Sequence, residues 1–250
     1  MHTISIVIIT LNEERNIGRC LKSVQGLSDD IVVVDSFSAD NTQMICEKNG
    51  ARFVQAKWLG YSDTKNFANS IAKYDWILSL DADEALSEEL RRSITDALLK
   101  KDMKPYRINR LTNYCGSWIK HGAWYPDYKL RIFNRTISKW HGYIHENLSG
   151  TEEQYTEILE GDCFHYTYYS VDEHLKQTEK FSRMRAEEMF HEGKKVSLLK
   201  MIFAPRFRFF RDYFLKLGFL DGTAGYRVAR ISAKAVYLKY FYLRQFYKTA

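Results

Sequence analysis

The sequence predicts an α/β protein in which a mostly parallel central sheet is flanked by helices and followed by a helical, basic and aromatic C-terminal region. Three observations carry that expectation. Over the first hundred residues, short apolar runs alternate with segments of helical period, and parallel strands require such crossovers. The composition is globular: 45% hydrophobic and 27% charged over 250 residues, with only 3 Pro and 13 Gly and no repeat. Collagen-like, solenoid and linker-dominated chains are thereby excluded. The charge is also divided, because residues 194–250 carry 13 Lys or Arg against Asp212 and Asp221, a net +11. The 193 residues before them carry 24 basic against 29 acidic side chains.

The elements follow in order. Ile4 to Ile9 is a continuous β-branched run, as expected of a strand buried on both faces. Asn12 is expected to cap the next helix, with Glu13 and Glu14 in its first turn and Ile17, Leu21 and Val24 on its buried stripe. Ile31 to Asp35 reads as a second buried strand, Ser36 to Asp40 as a polar loop, and Thr42 to Lys48 as a helix stopped by Asn49-Gly50. Ala51 to Gln55 is a third strand, Ser62 to Ala72 a helix, and Trp76 to Leu80 a fourth strand. Ser87-Glu88-Glu89 then opens a helix reaching about Lys101. Residues 106–167 interleave Tyr, Trp, His and Arg with short strand-like pieces, so mixed or antiparallel strands are expected there. Helices resume near Asp172.

No uncharged apolar run approaches the ~18 to 20 residues of a spanning helix. The N-terminus enters its first strand at once, without the segments of a signal peptide, which predicts a cytoplasmic protein. Cys20, Cys46, Cys115 and Cys163 are too widely spaced for a metal or redox motif and are expected to pack as small hydrophobes.

Ligands of such sheets bind beyond the carboxyl ends of the strands. The polar residues there are Thr10, Asn12, Asp35, Ser36, Asp81 and Asp83, which should therefore line one crevice. Asp81-Ala82-Asp83-Glu84 is the most informative motif. Two carboxylates one residue apart at a strand end can turn toward a common ligand, and they suit Mg²⁺ or Mn²⁺, whose other positions are filled by water and phosphate oxygens. A metal diphosphate is the natural guest.

Ile6 to Glu13, Ile31 to Ser36 with Asp40-Asn41-Thr42, Lys65-Asn66, and Asp81-Ala82-Asp83-Glu84 together resemble, in order and spacing, the family 2 glycosyltransferases of GT-A fold over about residues 3–100. Trp124 to Asp127, Lys129 to Phe133, Trp140 to Glu146 and Gly218 to Gly222 further resemble a small bacterial subgroup that includes lipopolysaccharide core β-glucosyltransferases. The resemblance implies a GT-A domain over residues 1–170, with a donor half to about 105 and an acceptor half beyond it, and a helical region over 171–250. It implies a nucleotide-sugar site of Thr10, Asn12, Glu13, Asp35, Lys65, Asp81 and Asp83. Thr10 and Asp35 would hold base and ribose, Asp81 ribose or sugar, Lys65 a phosphate or the base, and Asp83 the cation bridging the diphosphate.

Glycosyl transfer with inversion also needs a base for the acceptor hydroxyl, opposite the leaving group. Glu146 is the candidate and Asp127 the reserve. His165 is a further candidate metal ligand, since imidazole suits transition metals and many GT-A enzymes supply a late His. Tyr114, Trp118, Trp124, Tyr125 and Trp140 are candidates for sugar platforms or for core packing. The expected reaction is transfer of a hexose, glucose from UDP-glucose, to a lipid-linked or lipopolysaccharide core glycan, or to another cell-surface polysaccharide or polyprenyl-linked acceptor.

From Lys194 onward the basic residues are joined by 14 Phe or Tyr. Such helices can lie in a bilayer interface, so an anionic inner-membrane surface is the expected partner and nucleic acid is not. A Mg²⁺ phosphohydrolase of the aspartyl-phosphate type would need its nucleophile after the first strand, where this chain has Thr10-Leu11-Asn12. A nucleotidyltransferase would release pyrophosphate, and a non-enzymatic carbohydrate-binding protein would not need the acidic crevice.

Overall fold

The computed structural model describes residues 2–142 and 147–249. The chain divides into two compact units, one of residues 1–110 and 127–165 and one of residues 111–126 and 166–250. In sequence order the strands and helices of the first half are β1 (Ser5–Thr10), α1 (Ile17–Val24), β2 (Ile31–Asp35), α2 (Thr42–Lys48), β3 (Arg52–Gln55), α3 (Tyr61–Ser70), β4 (Trp76–Asp81), β5 (Glu84–Leu86) and α4 (Glu88–Leu99). They are followed by β6 (Tyr106–Tyr114), β7 (Ser117–Ile119), β8 (Tyr128–Asn134), β9 (Lys139–His141), β10 (Asn147–Ser149) and β11 (Glu157–Tyr168). The chain ends in α5 (Val171–His191), α6 (Leu198–Phe210) and α7 (Gly222–Thr249).

The main sheet runs β3-β2-β1-β4-β8-β6-β11-β5, with β7 paired to the far end of β6. β3, β2, β1 and β4 are parallel, β8 joins β4 antiparallel and β6 joins β8 antiparallel, so strands after residue 106 complete the sheet by antiparallel pairing. All six residues of β1 are buried. Alternation sorts them by face: Ile6 and Ile8 pack with Leu21, Val24, Leu90 and Ile94, whereas Val7 and Ile9 pack with Ala68, Phe133 and Trp140. Burying each such Ile or Val contributes ~1.5 to 3 kcal/mol, which fixes the register against a slip that would exchange the faces. That register sets Thr10 beside Asp35 and Ile9 beside Asp81, so the strand-end polar residues form one row.

One expectation is corrected in this unit. Asn12 does not cap a helix: it takes φ +55°, its amide oxygen accepts from the Ala39 N–H at 2.8 Å, and α1 begins only at Ile17. A cap stands immediately before its helix, whereas Asn12 lies five residues ahead of Ile17 with its side chain directed to the facing loop. Beyond the motif's two aspartates, Glu84 opens the short strand β5, which pairs antiparallel with β11 and sets Glu84 opposite His165.

The second unit is largely helical. α5 begins with a capping box in which the Glu173 N–H donates to Ser170 Oγ and the Ser170 N–H to Glu173 Oε2, each at 3.1 Å. α7 packs along α5, where Tyr242 Oη donates to Glu179 at 2.7 Å and Ser182 Oγ to the Ala235 carbonyl at 3.2 Å. A Cβ at Gly225 would lie 1.9 Å from the Gly218 carbonyl, so only glycine lets α7 start this close to the preceding turn. Among the described residues no helix is long and apolar enough to cross a membrane.

Candidate active site at the strand ends

The floor of the site is built by two interlaced loops, residues 11–16 after β1 and 36–41 after β2. The Asn12 N–H donates to Ser38 Oγ at 2.7 Å, the Glu13 N–H to Thr42 Oγ1 at 2.9 Å and the Glu14 N–H to Asp40 at 3.0 Å. Asp35 is fully buried, and its carboxylate accepts from both the backbone and the hydroxyl of Ser38. It therefore shapes the loop from beneath. The hydroxyls of Thr10 and Ser36 are buried without a hydrogen-bond partner among the described residues. Two orphaned hydroxyls side by side at strand ends fit a polar ligand lying above them.

The acidic motif splits into three roles. Asp81 is held by Lys65 at 3.1 Å on one oxygen and by Arg131 at 2.6 Å on the other. Burial opposes its charge, but Arg131 and Lys65 outweigh that and hold the carboxyl well below the usual carboxylate range. Glu84 is fully buried: Oε1 receives Arg131 at 2.5 Å and Arg110 at 3.4 Å, while Oε2 accepts the Asp81 N–H at 2.9 Å. Asp83 turns the other way, to His165 Nε2 at 3.2 Å, and keeps a quarter of its side chain exposed. Burial lowers the basicity of His165, yet the Asp83 carboxylate reverses this and leaves its pKa raised.

Negative charge gathers around that exposed carboxylate. Glu13 has a raised pKa, through burial first and then through Asp83, Asp40 and Asp81, opposed by the hydrogen bond from Asn16. Among the described residues no group of three or more His, Cys, Asp or Glu side chains is arranged to enclose a metal ion. Asp83 and His165 offer two donors on one side, with Glu13 contributing field rather than a third ligand. That set fits a hard divalent cation that takes its remaining oxygens from a diphosphate and water, and it would not form a closed structural site.

α3 ties the site to the acceptor half. Lys65, nearly buried, lies 4.9 Å over the Trp140 ring, and Asn66 pairs with the backbone of Trp140 through both its amide groups, at 2.9 and 3.0 Å. Ser62 Oγ donates to the Gly142 carbonyl at 2.6 Å. β9 and β10 pair with each other on either side of Glu146, which itself lies outside the described residues. Asp127 is gripped by Arg110 at 2.5 Å and Lys129 at 2.9 Å. Burial raises its pKa, but the two cations prevail and lower it, so it is a weak proton acceptor at neutral pH.

Of the aromatic residues, Tyr114 and Trp140 are core. Tyr114 sits edge-on to Trp124 at 5.9 Å and donates or accepts at His174 Nδ1 at 3.1 Å, within a cluster completed by Tyr168. Trp118 meets Tyr166 edge-on at 5.6 Å, and Tyr125 is half-buried. The residues that sequence reasoning missed are Glu84, Arg110 and Arg131. Of the three only Arg131 carries a sequence signal, a charge flanked by apolar residues in Leu130-Arg131-Ile132-Phe133.

Residues 5–151 match the family described as Glycosyl transferase family 2. An uncharacterised glycosyltransferase of Rickettsia typhi is 30% identical over 257 residues, covering 98% of this chain and 88% of that one. The lipopolysaccharide core biosynthesis glycosyltransferase LpsC of Rhizobium meliloti is 27% identical over 252 residues, covering 95% and 93%. Among solved structures, glucosyl-3-phosphoglycerate synthase of Mycobacterium tuberculosis, in complex with Mn²⁺, UDP and glucosyl-3-phosphoglycerate, overlaps 45% of this chain and 44% of its own at 24% identity and a TM-score of 0.36. An overlap that slight bears on neither donor nor metal.

Proposed function

The chain belongs to glycosyl transferase family 2 and is a glycosyltransferase of GT-A fold, and from that premise we propose that it transfers a hexose, glucose from UDP-glucose, with inversion to a lipid-linked glycan of the lipopolysaccharide core type. The observation that carries the donor half is the division of the acidic motif. Asp81 and the buried Glu84 are neutralised by Lys65, Arg131 and Arg110, whereas the partly exposed Asp83 pairs with the titratable His165. The likeness to LpsC along nearly the whole of both chains supports the acceptor class.

Asp83 and His165 would hold a divalent cation, Mn²⁺ or Mg²⁺, and the imidazole favours the transition metal. When bound, the cation supplies positive charge to the departing diphosphate. Thr10 and Ser36 offer their hydroxyls to the nucleoside, and Asp35 acts on it through the loop that it orders at Ser38. Asn12 and Glu13 set the backbone on the other side of that floor. Lys65 is shared between Asp81 and the sugar-diphosphate, so donor binding and the geometry of Asp81 are coupled. Glu146 takes the proton from the acceptor hydroxyl as it attacks the anomeric carbon, and Asp127, paired with Arg110 and Lys129, orients that strand region.

The reading is tested by calorimetric titration of the protein with UDP-, GDP- and dTDP-sugars, with and without Mn²⁺. Metal-dependent binding of the UDP-sugar alone is the expected result, and metal-independent binding of another nucleotide would replace the donor assignment. Transfer from the bound donor to a lipopolysaccharide core acceptor, against a polyprenyl-linked one, then tests the acceptor class.

A further inference from the structure

α6 is inside out. Leu199, Ile202, Phe203, Arg206, Phe207 and Phe210 recur at the i, i+3, i+4 spacing of one helix face, the stripe that ordinarily packs inward. Here every one is exposed, the five apolar ones at 41 to 68%, and no residue of the helix is fully buried. Five more exposed Phe and Leu side chains follow between residues 214 and 220. A continuous apolar surface of this kind is rare on soluble proteins unless something covers it.

The charges around the stripe identify what covers it. Both acids of the segment are turned inward: Asp212 is 3% exposed and clamped by Arg208 and Arg211, and the Asp221 carboxylate is 6% exposed and paired with His121 at 2.8 Å. Lys200, Arg206 and Lys216 remain outward. A face with only cations repels a second copy of itself, and aliphatic Leu199 and Ile202 gain nothing from nucleic-acid phosphates or base edges. Anionic phospholipid answers both features at once, with phosphates at the level of the cations and acyl chains beneath.

We propose that α6 and the turns after it lie in the surface of an anionic phospholipid bilayer as an interfacial anchor, with the exposed Leu, Ile and Phe stripe seated at the acyl boundary. The inference deepens the reading above, resting on its membrane-borne acceptor, and names the element that meets the membrane. Cations near such a surface draw the chain in, and the apolar stripe retains it, so the two contributions separate in salt: screening weakens the first and leaves the second.

The test is co-sedimentation of the full chain with phosphatidylcholine vesicles containing 30% phosphatidylglycerol, and with phosphatidylcholine alone. The unmodified chain should bind the anionic vesicles and keep part of that binding in high salt. The triple variant Phe203→Gln, Phe207→Gln, Phe210→Gln should lose tenfold or more of its partition while keeping its circular dichroism and its transfer to a delipidated acceptor. Undiminished vesicle binding by that variant overturns the anchor. So does a concentration-dependent dimer of the unmodified chain that the triple variant abolishes while vesicle binding stays absent. Lys200→Gln with Lys216→Gln supplies the second arm, with weakened binding at low salt only; equal loss at every salt would contradict the division of labour. Failure of the transferase reading appears instead as absent transfer to the soluble acceptor, whatever the vesicles show.

Discussion

Glu84 fixes Asp81 through the main chain, accepting the Asp81 N–H at 2.9 Å on one carboxylate oxygen while Arg131 occupies the other at 2.5 Å. The catalytic-looking acid motif is thus anchored by its own last residue, and Asp83 is left free to turn outward. A buried carboxylate that compensates two guanidinium groups cannot be neutralised cheaply. Glu84→Gln is expected to destabilise the protein by about 3 kcal/mol, the scale for breaking a buried ion pair from one side. Urea unfolding checks it; a loss under about 1 kcal/mol would mean that Asp81 and Asp127 suffice to hold Arg131 and Arg110.

Lys65 is a buried cation that meets both Asp81 and Trp140. Lys65→Met should keep the packing against Trp140 and remove the charge, weakening UDP-sugar affinity about tenfold, the worth of one charged hydrogen bond. Titration at fixed Mn²⁺ reads it directly. Unaltered affinity would confine Lys65 to the support of Asp81.

The base is assigned by a comparison of two variants. Glu146→Gln should leave donor affinity within a few-fold and lower kcat by roughly 10²-fold or more. Asp127→Asn should lower kcat far less, because Arg110 and Lys129 already hold that carboxylate ionised and poorly basic. The reverse order would move the role to Asp127.

How much of this was legible in the sequence depends on the range over which each feature is decided. The four parallel strands β1 to β4, α2, α4 and the start of α5 were legible, because β-branched runs, caps and stop signals are local. So was the row Thr10, Asp35 and Asp81, since strand ends follow from strands. The Asn12 cap failed because a loop 27 residues away claims its side chain. β5 was invisible because three residues acquire strand character only by pairing with β11. The Arg131 and Glu84 pair spans 47 residues of sequence and depends on the antiparallel docking of β8 on β4, which no periodicity announces. The chain also leaves the first unit for residues 111–126 and returns, a division made by long-range contacts rather than by any linker composition.

His174 gives the fold a defined acid sensitivity. Burial among Tyr114, Trp124 and Tyr168 depresses its pKa to about 4, so the folded protein keeps the ring neutral. The unfolded chain takes up a proton below its ordinary pKa near 6.5, and stability therefore falls as pH drops from about 6.5 toward 4. The loss reaches about 3 kcal/mol at the end of that window. Unfolding free energies of the unmodified chain and His174→Gln, measured at pH 7.5 and 4.5, should differ in their pH dependence by an amount of that order. Parallel curves would assign the acid sensitivity to other groups.

The central claim is that Asp83, set free of the buried charge network and facing His165, carries the cation that binds the donor diphosphate. Its most direct measurement is the affinity for UDP, with and without Mn²⁺, of the unmodified chain and of Asp83→Asn. The account predicts that Mn²⁺ strengthens UDP binding by the unmodified chain about tenfold or more, and that the variant binds UDP weakly and identically in both conditions, since an amide lacks the charge that holds a hard cation. Metal-enhanced UDP binding of undiminished size in Asp83→Asn would contradict it.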